Sequence, residues 1–86
     1  MILYKKIPMK FEEKDYEIRV LYDDTTVKVV AFLNNYPFNG LRHQIQVPKK
    51  FDMKKVLKVD AVKELVEMAK NDIIEKRWER LLKALL

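Results

Sequence analysis

The chain has 86 residues, a length that fits one domain, residues 1–86, near the lower limit for an independent hydrophobic core. Hydrophobic residues make up 49% and charged residues 36%, which excludes a disordered chain, and the lack of Cys excludes disulfides and thiolate sites. The net charge is +5, and early lysines and short apolar runs argue against a signal peptide or a membrane span, so we expect a cytoplasmic protein.

The first half of the chain has the alternating pattern of β-strands. Pro8 places the first strand at a sheet edge, because proline cannot donate to a strand ladder. Polar turns are predicted over 12–15 and at Asp24-Thr25, and the segment 34–40 reads as a loop before a fourth strand that Pro48 ends. The predicted inward residues are Ile7, Met9 and Phe11; Tyr16, Ile18, Val20 and Tyr22; Val27, Val29, Ala31 and Leu33; and Leu41, His43, Ile45 and Val47.

The inward sets of neighbouring strands fix a register, since a half-buried sheet needs apolar residues opposite one another. The predicted pairs are Phe11–Tyr16, Met9–Ile18, Ile7–Val20, Tyr22–Val27, Val20–Val29, Ile18–Ala31, Leu33–Leu41 and Val29–Ile45. Asn39-Gly40 is an alternative turn for the third hairpin, and closing there requires a bulge near Asn34-Asn35.

The last third of the chain contains neither Pro nor Gly and has helical periodicity. Asp60 is the predicted N-cap. An apolar stripe runs to Ile73, and a second, rotated stripe follows it. The helix is therefore either unbroken, which the lack of a breaker favours, or interrupted near Asn71-Asp72, where Glu75 completes a capping-box spacing.

These elements define an α+β fold. We expect a four-stranded antiparallel meander sheet in the order 1-2-3-4, with one long or kinked C-terminal helix packed on one face. The sheet covers about 5–47, a connector covers 48–59 and the helix covers about 60–84. A short helical turn built from Phe51, Met53, Val56 and Leu57 closes one end of the core.

No group of residues has the spacing of a catalytic, cofactor or metal site, so we expect no enzyme and no cofactor. His43 is the only histidine and belongs to the inward set of the fourth strand. A single histidine on an apolar face is more often a hydrogen-bonded core residue than a catalyst. If His43 is a core residue, His43→Leu should be tolerated or mildly stabilising, since a buried polar ring without ideal partners costs free energy. A large loss of stability would instead reveal a satisfied hydrogen bond.

The positive charge is concentrated in the connector, where residues 49–58 carry five lysines against one aspartate. This cluster and the outward face of the sheet form a candidate nucleic-acid surface. Its residues are Lys49, Lys50, Lys54, Lys55 and Arg42, with Phe32 as an outward aromatic for a base or a protein partner. A solvated connector is the simpler interpretation, and the scarcity of Arg supports it.

The end of the helix carries apolar residues that a helix lying on the sheet cannot all bury. Trp78, Leu81, Leu82 and Leu85 form this stripe. Either the chain kinks at Asn71-Asp72 and folds the tail back, or the tail packs on a second copy, and we favour a symmetric dimer. The favoured function is a small non-catalytic interaction module whose partner is a second copy or another protein, with nucleic-acid binding as the alternative.

Overall fold

The computed structural model describes all 86 residues, and its elements follow the predicted α+β order. The strands are β1 (Ile2–Phe11), β2 (Lys14–Tyr22), β3 (Thr26–Leu33), β4 (Tyr36–Pro37) and β5 (His43–Gln46). The helices are α1 (Met53–Val56), α2 (Asp60–Ile74) and α3 (Arg77–Leu85). No helix is long and apolar enough to cross a membrane.

The sheet is antiparallel, with β1, β2, β3 and β4 in sequence order and β5 also paired with β3. This arrangement confirms the predicted meander. The fourth strand is divided, because the segment 38–42 leaves the ladder between β4 and β5. The helices follow the sheet, and α2 packs against its inward face.

The register between β2 and β3 is the predicted one, with Tyr22 opposite Val27 and Ile18 opposite Ala31. Asp23 shapes the turn that sets this register. Its Oδ1 accepts from the backbone N–H groups of Thr25 and Thr26 at 3.0 and 2.9 Å. The Thr25 hydrogen bond, followed by that of Thr26, lowers the pKa of Asp23 below its usual value.

The predicted register between β1 and β2 is wrong by two residues, because Met9 rather than Phe11 lies opposite Tyr16. The cause is the turn. Glu12 and Glu13 both have positive φ, 49° and 65°, and form a two-residue connection between Phe11 and Lys14. A two-residue turn of this type twists with the strands and therefore displaces the longer polar turn that the sequence predicted.

The third hairpin also differs from the prediction. It closes at Asn34-Asn35, whose φ angles are 52° and 66°, and Leu33 pairs with Tyr36. Asparagine tolerates this left-handed conformation better than most residues. The excursion 38–42 then moves β5 so that His43, not Ile45, lies opposite Val29.

The core lies between the inward face of the sheet and α2, and α1 closes one end of it. Met53 and Val56 pack against the core and Leu57 is buried, as predicted, but Phe51 is exposed. The eleven core residues are Tyr16, Ile18, Val20, Val27, Val29, Ala31, Leu57, Val62, Val66, Ala69 and Ile73.

Two expectations about the helix are wrong. The N-cap of α2 is Val59, and the cap makes no side-chain hydrogen bond. The helix is interrupted, but at Lys76 rather than at Asn71-Asp72. Lys76 adopts the left-handed conformation (φ 53°, ψ 43°), a common way to end a helix although glycine usually occupies this position.

Candidate functional site

The closest pair of polar side chains in the core joins β5 to α2. His43 Nε2 lies 2.6 Å from Asp72 Oδ2, and the Asp72 residue is only 2% exposed. The imidazole retains 21% of its side-chain exposure. His43 is thus a hydrogen-bonded residue of the inward face, in agreement with the structural interpretation of the sequence.

The second oxygen of Asp72 is poorly satisfied. Oδ1 is buried without a hydrogen-bond partner, and Arg77 Nη1 is the nearest cation at 3.5 Å. Arg77 also makes a closer ion pair through Nε with Glu75 Oε2, at 2.9 Å. Because a buried carboxylate needs its partners, the contact with His43 holds β5 against α2.

A histidine–aspartate pair performs nucleophilic catalysis only when a nucleophile lies within hydrogen-bond reach of the ring. The chain contains neither Ser nor Cys, and its two threonines, Thr25 and Thr26, lie in the β2–β3 turn region. The 2.6 Å contact between β5 and α2 has the geometry of a structural clamp. No three His, Cys, Asp or Glu side chains lie together in a group that could hold a metal ion.

The sequence contained a signal for Asp72 that the helix-break interpretation obscured. Asp72 follows Ala69 by three residues and Leu65 by seven, which places it on the buried face of α2. An acid on a buried face requires a partner, and His43 was the only histidine in the inward set.

The interruption at Lys76 directs α3 toward the end of the sheet that carries the β1–β2 turn. Lys76 Nζ lies 3.1 Å from Glu12 Oε2, beside the β1–β2 turn. The Trp78 ring covers Gly40 so closely that an added Cβ would lie 2.6 Å from Cζ3. Gly40 therefore provides the space in which the indole docks.

Tyr16 of β2 lies near the same group of residues, at the end of the sheet that α3 approaches. Its ring packs edge-on against Phe38 with 5.0 Å between centroids. Burial, then the negative charges of Glu79 and Glu12, raise the pKa of Tyr16 above its usual value, and Lys76 opposes them. Glu79 belongs to α3, so this helix and the sheet influence one another electrostatically.

The docked helix leaves most of its apolar stripe uncovered. Trp78 is half-buried, but Leu81 and Leu82 are each 42% exposed and Leu85 is 75% exposed. These four residues follow the spacing i, i+3, i+4 and i+7 and form one seam, the α3 seam. The chain therefore does kink, and the kink does not bury the leucines.

The connector lysines Lys49, Lys50, Lys54 and Lys55 are all exposed. Asp52 caps α1, since its Oδ1 accepts from the Lys54 N–H at 3.0 Å. The connector therefore presents its positive charge on an ordered turn.

The outward face of the sheet is occupied by its own contacts. The Arg19 guanidinium lies 4.0 Å above the centre of the Phe32 ring. Arg42 donates through Nη1 to the carbonyl oxygens of Asn39 and Leu41. Phe32 and Arg42, both predicted contact residues, thus have intramolecular partners.

The sequence matches no family model and no curated protein, and no solved structure matches the fold.

Proposed function

We propose that the chain is a small non-catalytic interaction module that associates with a second copy of itself through the α3 seam. The observation that carries this proposal is the exposure of the seam leucines, of which Leu85 is 75% exposed. A seam with spacing i, i+3, i+4 and i+7 suits packing against another helix. Contiguous exposed apolar surface of this kind is uncommon in a protein that remains monomeric.

The size of α3 supports association. It has nine residues, and an isolated helix shorter than about 12 residues is marginal in water. It is attached to the rest of the chain by Trp78 against Gly40, by the 3.5 Å contact of Arg77 with Asp72 and, just before its first residue, by the exposed ion pair between Lys76 and Glu12. Packing the free side of α3 on another molecule supplies the tertiary contacts that a short helix needs.

A second copy suffices as that molecule, because an apolar seam is self-complementary. In a two-fold pairing each copy contributes the same seam residues, and no further component is needed.

The test compares Leu82→Ala/Leu85→Ala with Met68→Ala, which removes a side chain 49% exposed on α2. Light scattering over a concentration series should give the wild type and the Met68 variant a mass approaching twice 10.4 kDa. The double seam variant should remain folded and monomeric. A wild type that stays monomeric at millimolar concentration would eliminate the proposal.

Nucleic-acid binding through the connector is the second candidate, and the exposure of all four connector lysines is what favours it. The intramolecular contacts of Phe32 and Arg42 weigh against a contribution from the sheet face. Binding through the lysines should weaken steeply with salt, because each neutralised phosphate releases counterions. No detectable RNA or DNA binding at low salt would remove this candidate, and loss of binding after changing Lys49, Lys50, Lys54 and Lys55 to Gln would support it.

A further inference from the structure

A groove of about 640 Å³ runs between the first half of β1 and the helix α2. It has the volume of a typical ligand-binding cleft but is open along its length. Apolar side chains of the core form its floor, which includes Ile7, Val20, Leu57, Val62 and Val66.

The walls of this groove carry a strong excess of positive charge. Lys5 and Lys6 come from β1 and Lys58, Lys63 and Lys70 from the α2 side, and Glu67 is the only acid among the lining residues. Glu67 lies 3.4 Å from Lys70 Nζ, and Lys63 makes only a 3.8 Å contact with Asp60. Lys5, Lys6 and Lys58 have no carboxylate within ion-pair distance, so the groove is complementary to an anion.

One wall of the groove is also a free sheet edge. β1 pairs with β2 and with no other strand. In a hairpin with a two-residue turn, the two residues flanking the turn form backbone hydrogen bonds with each other. The backbone groups of Phe11, Met9 and Ile7 therefore bond to β2, and those of the residues between them point away from β2 toward the free edge. Pro8 is therefore placed where its missing N–H costs no ladder bond with β2. Toward an added strand Pro8 offers only its carbonyl, whereas Lys6 offers both backbone groups, and the register shift between Leu3 and Lys5 marks the end of this regular edge.

We propose that this groove binds an extended peptide segment with both acidic and apolar residues in the set of alternate side chains that faces α2, and that the segment adds as a strand to the free edge of β1. An added strand satisfies the outward backbone groups of Lys6 and the carbonyl of Pro8, and the apolar residues of its α2-facing set reach the floor. The carboxylates of the same set lie among the lysines of the groove. The site is separate from the α3 seam, and its occupant does not depend on self-association.

The probe, the Glu-Val peptide, is a fluorescein-labelled repeat of Glu-Glu-Val-Val about as long as β1, so that the alternate side chains on each face are Glu and Val in turn. Fluorescence anisotropy measures its binding. A second peptide has the same sequence with alternate backbone nitrogens methylated, which removes the donors needed for strand addition. A third replaces Glu with Lys. Laurate, an amphipathic anion without a peptide backbone, represents the alternative class of ligand, small amphipathic anions.

The matched variants change three lysines to Gln either at the groove or elsewhere. Lys58→Gln/Lys63→Gln/Lys70→Gln alters the α2 wall, and Lys49→Gln/Lys54→Gln/Lys55→Gln makes the same charge change on the connector, outside the groove. The groove variant should weaken Glu-Val peptide binding by about tenfold or more, and the connector variant by less than about threefold. Methylation of the peptide backbone should weaken its binding to the wild type by about tenfold. This comparison uses only the wild-type protein and so does not depend on the folding of a variant.

Four results would overturn the proposal. They are no saturable binding of the Glu-Val peptide, equal binding of the Lys-Val peptide, equal losses in the two triple variants, and undiminished binding of the methylated peptide. Laurate that binds at the groove where the Glu-Val peptide does not would instead assign the site to small amphipathic anions.

Discussion

Removing the imidazole of His43 should be costly, contrary to the expectation from the sequence, because it leaves the carboxylate of Asp72 buried without its one hydrogen bond. Breaking a buried pair by deleting one partner typically costs about 3–5 kcal/mol. Arg77 Nη1, 3.5 Å from Oδ1, retains part of the compensation, and the His43 side chain is 21% exposed. We therefore expect His43→Leu to lower the free energy of unfolding by about 3 kcal/mol. A domain of this size has only about 4–13 kcal/mol in total.

Urea unfolding followed by circular dichroism measures this loss. With an m-value of about 1–1.5 kcal/mol/M, the midpoint should fall by about 2–3 M. His43→Gln should recover part of the loss, because its amide can donate to Asp72. His43→Leu/Asp72→Leu should be as stable as the wild type or more so, since an apolar pair needs no hydrogen bond. A His43→Leu midpoint within experimental error of the wild type would refute the reasoning.

Three other outcomes follow from local features. Glu13→Gly should raise the free energy of unfolding by about 1 kcal/mol in urea melts, because glycine adopts the positive φ of this turn without strain. Gly40→Ala should expel the indole from its site, and Trp78, the only tryptophan, should report this as a red shift of its fluorescence. Asp23→Ala should lower the urea midpoint at neutral pH. Since the pKa of Asp23 is lowered in the folded chain, the difference from wild type should be full above the unfolded pKa of about 4 and should shrink as pH falls through the lower folded pKa.

The register between β2 and β3 could be predicted because two independent signals agree there. Both strands alternate without interruption, and Asp23 supplies a turn whose side chain bonds the backbone. The β1–β2 register could not, because Glu12 and Glu13 carry no composition signal for a left-handed turn. The pairing of β1 with β2 outweighs the cost of placing Glu12 and Glu13 in the left-handed conformation, about 1–2 kcal/mol per residue. The local sequence does not show which of these two effects prevails.

Local sequence also failed to predict where the helix is interrupted. The stripe containing Trp78 and Leu82 was predictable from spacing alone, but the interruption depends on Lys76, a residue with no preference for ending helices. Asp72 was misread because its spacing also fits a cap. Its place on the buried face follows from its spacing to Leu65 and Ala69, but its pairing with His43 became evident only in the structure, where β5 lies beside α2 after the segment 38–42 leaves the ladder.

The α3 seam and the lysine groove can be tested separately because they lie at different ends of the sheet. Lys76 contacts Glu12 at the β1–β2 turn, whereas the groove is lined by residues 4–8 of β1 and 57–70 of the α2 side. Leu82→Ala/Leu85→Ala should therefore leave peptide affinity unchanged, and the groove variant should leave the mass unchanged. A dimer formed through the α3 seam would present two grooves and would bind a tandem peptide more tightly than a single one, through effective concentration. Loss of that advantage in the seam variant, with single-peptide affinity retained, would separate the two surfaces in one experiment.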